Sequence, residues 1–191
     1  MSVSPASVSS DLDRIAVETG FSGVVTISRS GRRLVAAAYG YAHRALRVPN
    51  TTQTQFATAS GSKGLTALAV GWLLHNGKLG LATTAGEVLG DLLPQVDPGV
   101  TVAHLLGHTS GVGDYLDEEV VEDTDDYVLS VPVHQLGRPA DYVRLLSGLP
   151  PKFPPGTRFS YSNSGYVILS LIVEAVSGDS FYGVVQKHVL D

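Results

Sequence analysis

The sequence predicts an α/β chain in which a β-hairpin is followed by a mostly helical part. Three observations predict it. Two β-rich runs in "FSGVVTISRSGRRLVAAAYGYAH" flank the polar, glycine-containing turn Arg29-Ser30-Gly31-Arg32, the pattern of a hairpin. Apolar stretches at residues 65–74 and 167–176 are each followed by a glycine stop, the pattern of buried helices. Both fall far short of the roughly twenty residues a membrane span needs.

The remaining elements follow in chain order. Residues 1–9 are serine-rich and expected to fray. A short helix over about 10–19 ends at Gly20. Residues 44–55 read as a polar connection. A helix from about Ser60 stops at Gly77, and Pro94 and Pro98 punctuate the next loop. "VTVAHLLGHTSGV" is a short helix ending at Ser110-Gly111. Residues 114–126, "DYLDEEVVEDTDD", hold eight carboxylates. They lack the oxygen spacing and turn glycine of a calcium loop, so a solvated acidic surface is expected rather than a cation site. A helix near 139–147 follows, then the proline-rich "PPKFPPGTRFSYSNSGY", a helix over about 164–176 and a last one over about 180–189.

Composition narrows the function. The chain has 191 residues, 43% apolar and 16% charged, a globular balance. Its net charge of −5 and the lack of a basic block argue against a nucleic-acid partner. With no cysteine there is no disulfide, thiolate metal site or cysteine nucleophile. The N-terminus has neither a basic start nor an apolar h-region, so no secretory leader is legible. A cytoplasmic protein and a secreted one whose leader has been removed would read alike.

The chemistry concentrates in "FATASGSKGLTALAV", residues 56–70. At about 100° per residue, Ser60 and Lys63 lie about 60° apart around a helix and one turn apart along it. Ser62 points elsewhere. A serine hydroxyl needs a neighbouring base, and a desolvated lysine can be one. The helix N-terminus would also favour a developing negative charge. Ser60 as a plain N-cap beside a solvated lysine fits the same letters. In "FSYSNSGY", Tyr161 could carry a proton, and Asn163 could donate to a carbonyl while accepting from a lysine. A polar helix start capped by Asn163 also fits. His104 and His108 are four apart, a zinc-compatible spacing, but Leu105 stands where the H-E-x-x-H motif has glutamate.

Taken together, "GFSGVVTISRSG", "YGYAHRALRVPNT", "FATASGSKGLTALAV", "HNGKLGL", "VTVAHLLGHTSGV", "PPGTRFSYSNSGYVILSLIVEAVSG" and "VVQKHVLD" resemble the serine β-lactamase and penicillin-binding-protein family. The likeness is to class C β-lactamases, DD-peptidases and family VIII-type esterases, and it runs from about residue 10 to 191. It implies a β-lactamase/transpeptidase-like fold, an antiparallel sheet with flanking helices plus a helical domain. Residues 1–55 would supply the N-terminal helix and hairpin of the α/β domain, and 56–191 the helical part with both motifs. The resemblance implies Ser60 as acylated nucleophile, Lys63 as the amine that helps deprotonate it, and Tyr161 as proton shuttle. Asn163 would hold the substrate carbonyl, and the Ser60 N–H would be half of the oxyanion hole. His108, Ser110 and Gly111 would buttress the site. Gly107 departs from the family, where a hydroxyl residue is usual. The implied substrate is a small molecule, a β-lactam, D-alanyl peptide or ester, with no cofactor and no metal.

The family's third motif, K-T-G or H-x-G on a β-strand lining the site, is expected to be missing here, since "GKLG" at 77–80 and "QKHVL" near the end do not fit it. That strand supplies the second oxyanion N–H, and such donors are worth about 3–4 kcal/mol each. The expectation is an N-terminal portion whose C-terminal strands are absent and are supplied in a longer or second chain. Little or no turnover is expected from the 191 residues alone. A non-catalytic penicillin-binding-like module is the competing expectation. Residues 24–27 of the hairpin are expected to face water.

Overall fold

The computed structural model describes residues 4–121 and 127–191. Contacts divide the chain into two compact units, Met1–Thr58 and Ala59–Asp191.

In the first unit, helix α1 spans Pro5–Thr19. It starts earlier than its apolar pattern suggested because the serine-rich stretch carries its own cap. Ser4 accepts from the Ser7 N–H, and Pro5 stands at the first turn, where its missing N–H costs nothing. Strands β1 (Gly23–Arg29) and β2 (Arg32–Tyr39) form the expected hairpin, with Ile27 opposite Val35. Ser30 and Gly31 both have positive φ, 49° and 75°, which matches the strand twist. Val24, Val25 and Ile27 are half-buried rather than water-facing, and α1 packs on β2 through buried Ala16 and Val35. The supposed polar connection contains a second small antiparallel pair, β3 (Tyr41–His43) and β4 (Val48–Pro49).

The second unit is helical. It comprises α2 (Ser62–His75), α3 (Ala85–Leu89), α4 (Val102–Leu106), α5 (Val143–Leu146), α6 (Asn163–Ser177) and α7 (Phe181–Val185), joined by loops and short 3-10 turns. Helix α2 buries Thr66, Ala69, Val70 and Leu73, the i, i+3, i+4, i+7 stripe of a core-facing helix. Helix α6 is buried nearly all round, including Ile168, Leu169, Ile172 and Val173. The two pack together, with Val102 and Leu105 of α4 and Val184 of α7 completing one core. Among the described residues, no single helix is long and apolar enough to cross a membrane.

Three expected helices are shorter or less regular. The one through residues 100–111 stops at Leu106, where Gly107 caps it. The one near 139–147 is a 3-10 turn, Pro139–Tyr142, followed by the single α-turn of α5. The last passes into a π-turn at Gln186–Leu190. Helix α3 went unread although Thr84 and Glu87 form a capping box.

Candidate active site

The packing of α2 on α6 puts their N-terminal turns side by side, and the chemistry sits there. Ser60 lies in a 3-10 turn, Ala59–Gly61, that runs into α2. Gly61 rather than Ser60 is the cap residue. Ala59 has φ 45°, left-handed for a residue with a Cβ, a conformation that costs about 1–3 kcal/mol. The Ser62 hydroxyl donates to the Ala59 carbonyl at 2.8 Å and holds this turn, which leaves Ser60 exposed.

Lys63 and Tyr161 converge on Ser60, and Asn163 joins them through Lys63. Lys63 Nζ donates to Ser60 Oγ at 3.2 Å and to Asn163 Oδ1 at 2.8 Å. The Tyr161 hydroxyl donates to Ser60 Oγ at 2.7 Å. Lys63 Nζ also lies 4.8 Å from the Tyr161 ring centroid and 5.8 Å from that of Tyr166. Among the described residues its hydrogen-bonding partners are therefore two neutral oxygens, with no carboxylate.

The Tyr161–Asn163 turn is built on residues 108–114. The Ser160 N–H goes to the His108 carbonyl at 2.9 Å, and the Ser162 N–H to His108 Nδ1 at 3.0 Å. The Asn163 N–H meets Asp114 Oδ2 at 2.6 Å and the Ser164 N–H meets Asp114 Oδ1 at 3.1 Å. Ser162, not Asn163, is the N-cap of α6. Asn163 is thus free to use its side chain on Lys63 and, through Nδ2, on the Leu116 carbonyl at 3.1 Å.

The expected buttress residues lie under this turn. The His108 ring stacks on Tyr161 and Tyr166, with centroids 4.6 and 5.0 Å away. Ser110 is buried. Gly111 has φ 68°, and a Cβ there would collide with the Phe153 carbonyl, so glycine is required.

The acidic stretch is not simply a solvated surface. Asp114 caps α6, and Asp117 bonds Lys152 Nζ at 2.9 Å. Lys152 also reaches Glu119 at 3.3 Å and Ser160 Oγ at 2.7 Å. This second Ser–Lys contact is not a nucleophile and its base. Ser160 is buried, and although burial alone would lower the Lys152 pKa, the hydrogen bonds this lysine donates to Asp117 and Glu119, with their negative charges, outweigh it and raise it. Residues 122–126 of the stretch lie outside the described residues. Among the described residues no group of three His, Cys, Asp or Glu could hold a metal ion. His104 spends its Nδ1 on the Thr101 N–H instead.

A model of the beta-lactamase family matches residues 11–191. The chain belongs to this family of serine hydrolases. It is 33% identical over 171 residues to penicillin-binding protein 4* of Bacillus subtilis, covering 88% of this chain and 36% of that protein. It is 32% identical over 171 residues to esterase EstB of Burkholderia gladioli, covering 87% of this chain and 43% of that one. A crystal structure of a penicillin-binding protein from Bacillus halodurans superposes with TM-score 0.79 at 41% identity, over 92% of this chain and 53% of that chain. The chain therefore spans about two fifths of the length of these curated relatives. The beta-lactamase family likeness extends to the fold, whose helices and small antiparallel sheets match these neighbours. The tripeptide His75-Asn76-Gly77 has the letters of the family's H-x-G motif, but it closes α2 and lies on no strand.

Asp114 is the residue that sequence reasoning missed. Asp114→Ala is expected to slow acylation at Ser60 about 10- to 100-fold while removing a helix cap worth about 0.5–2 kcal/mol. Asp114→Asn, which keeps one acceptor oxygen, should recover part of the rate. Single-turnover rates beside urea denaturation check this, and an unchanged acylation rate in Asp114→Ala would contradict it.

His108 carries a pH dependence. Its pKa is lowered from 6.5, first by burial and then by the Lys63 charge, with Asp114 opposing. The folded chain thus favours the neutral ring, whose Nδ1 accepts from Ser162. Below the ordinary histidine range the unfolded chain binds the extra proton, so stability falls as pH drops from 6.5 toward the lowered folded value. Wild type should lose more urea resistance than His108→Gln between about pH 7 and 5. Equal losses would contradict the assignment.

Proposed function

We propose that this chain carries the acylating centre of a serine hydrolase acting on a β-lactam, a D-alanyl peptide or a small ester. Ser60 Oγ bonds to the substrate carbonyl carbon while its proton passes to Lys63 Nζ as the base. The carbonyl oxygen takes the negative charge, facing the Ser60 N–H at the helix start. The tetrahedral intermediate collapses with loss of the amine or alkoxide, Tyr161 gives its hydroxyl proton to that leaving group, and the proton held by Lys63 replaces it on Tyr161. Water then cleaves the ester on Ser60. Asn163 holds Lys63 through Oδ1, and one Nδ2 hydrogen remains for a substrate carbonyl beside the one on Leu116.

The convergence of Lys63 Nζ and Tyr161 OH on one exposed hydroxyl, at 3.2 and 2.7 Å, carries this reading. The second reading is a module that binds such substrates without turning them over, or that needs a complementing chain. It draws on the lack of a strand-borne third motif among the described residues. A chromogenic β-lactam and p-nitrophenyl esters test both. Acyl-enzyme formation releases about one equivalent of chromophore per chain in an initial burst, and the rate after the burst separates hydrolase from module. No burst from any of these compounds would overturn the proposal.

A further inference from the structure

A second lysine, outside the reacting cluster, joins the two stretches of chain that flank it. Lys152 lies in the proline-rich loop before Tyr161, and its own N–H donates to the Gly111 carbonyl at 2.7 Å. Its side chain is 15% exposed, rare for a lysine. The ammonium has three donors, and they meet Ser160 Oγ at 2.7 Å, Asp117 Oδ1 at 2.9 Å and Glu119 Oε2 at 3.3 Å. The Ser160 hydroxyl donates in turn to Glu119, and this bond, followed by that from Lys152, holds the Glu119 carboxyl below its usual range.

The segment on the far side of this contact has little else to hold it. Residues 117–121 form neither helix nor strand. The Glu119 N–H donates to Asp117 Oδ1, and the Val120 and Val121 N–H groups donate to the Asp117 carbonyl, so these bonds stay within the segment. Toward the rest of the chain, its hydrogen bonds and ion pairs among the described residues go to Lys152, Ser160 and Arg158. The Arg158–Glu119 pair is 3.4 Å long and 58% and 48% exposed, so it contributes little. Ser160 is the fixed end, because its N–H is already on the His108 carbonyl.

What this segment carries explains why its anchoring matters. Leu116 precedes Asp117, and its carbonyl accepts from Asn163 Nδ2 at 3.1 Å. That bond decides which end of the amide meets Lys63. With Nδ2 on the carbonyl, Oδ1 faces the Lys63 ammonium at 2.8 Å. Turned over, the amide would set one donor against another. Lys63 reaches Ser60 Oγ from this same position.

We infer that Lys152 is a positioning residue for the reaction at Ser60: it ties the 117–121 segment to Ser160, keeps the Leu116 carbonyl at the start of α6, and so holds the Asn163 amide with its oxygen toward Lys63. Lys152 itself touches neither Ser60 nor Lys63 among the described residues and acts only through Asn163. The inference rests on the Ser60 acylation reading for its effect on rate, and stands apart from that reading for its effect on the amide.

The test compares the full 191-residue chain with Lys152→Met, which keeps an unbranched stem and removes the ammonium. NMR reads the Asn163 side-chain N–H protons, assigned by their loss in Asn163→Ala. In Lys152→Met they should exchange with water about tenfold or more faster, while the backbone amides of α2 and α6 keep their protection. Acylation by a p-nitrophenyl ester should slow about tenfold or more, but only about threefold or less when Asn163 is already alanine. Arg158→Gln removes a neighbouring cation that does not reach Ser160 or Asp117, and should stay within about threefold of wild type in both measurements. Should Lys152→Met fail to fold, Ser160→Ala removes one arm of the same contact and should move both readouts in the same direction by about threefold. Unchanged exchange at Asn163 overturns the inference. So does an undiminished rate loss in the Asn163→Ala background, or an equal loss in Arg158→Gln. A wild-type chain that gains no acyl group, with Asn163 exchange still following Lys152, would overturn the Ser60 reading and leave the positioning of the amide standing. An acylated wild type whose exchange and rate both ignore the variants would do the reverse.

Discussion

Lys63→Ala is expected to lower the rate of the proposed Ser60 acylation by about 10³-fold, in the range for loss of a positioned base, and Lys63→Arg is not expected to restore it. The argument is geometric as well as chemical. Lys63 is the amine within reach of Ser60 Oγ, at 3.2 Å, and Asn163 Oδ1 fixes its direction at 2.8 Å. Arginine would keep a positive charge near the hydroxyl, yet a guanidinium does not release its proton in a protein. If the lysine merely supplied charge, the arginine variant would retain most of the rate. A rate within threefold of wild type in Lys63→Arg would therefore remove Lys63 from the role of base. Lys63 sits half-buried at the edge of α2, so the variants should fold, and circular dichroism melting curves check that they do.

Tyr161→Phe is expected to cost about 10²-fold or more in the same assay. The substitution removes one atom, the oxygen 2.7 Å from Ser60 Oγ. It keeps the ring that stacks on His108 and lies under the Lys63 ammonium. Stability should change little, because the hydroxyl has no other partner among the described residues. An acyl-enzyme that forms slowly but then persists would assign Tyr161 to proton delivery in both half-reactions. A rate unchanged from wild type would leave it as a stacking residue only.

How much of this could be read beforehand depended on the range of the interaction. The Ser60–Lys63 contact was anticipated from their spacing, although Ser60 lies in the 3-10 turn before α2 and not in the helix itself, and the core stripes of α2 and α6 were visible as apolar runs. The meeting of Tyr161 with Ser60 spans 101 positions and exists only because α2 packs on α6. No local pattern encodes that packing, and only the family resemblance anticipated it. Asp114 was hidden for a different reason. It stands among eight carboxylates that look alike in sequence, and what separates it is that the turn after Gly111 carries it to the Asn163 and Ser164 N–H groups in the first turn of α6. Ala59 was equally silent, since a left-handed φ at alanine leaves no trace in the letter. The caps of α1 and α3 are legible in Ser4-Pro5 and Thr84–Glu87, local signals that apolar periodicity does not reveal.

The central claim is that the Ser60 hydroxyl becomes covalently bound to the substrate's acyl group. Intact-mass measurement of the chain after exposure to a β-lactam and to an activated ester tests it most directly. The account predicts one added acyl mass per chain, mapped to the peptide containing Ser60 and gone in Ser60→Ala. An adduct that persists in Ser60→Ala, or a wild-type chain that binds these compounds and gains no mass, would contradict it.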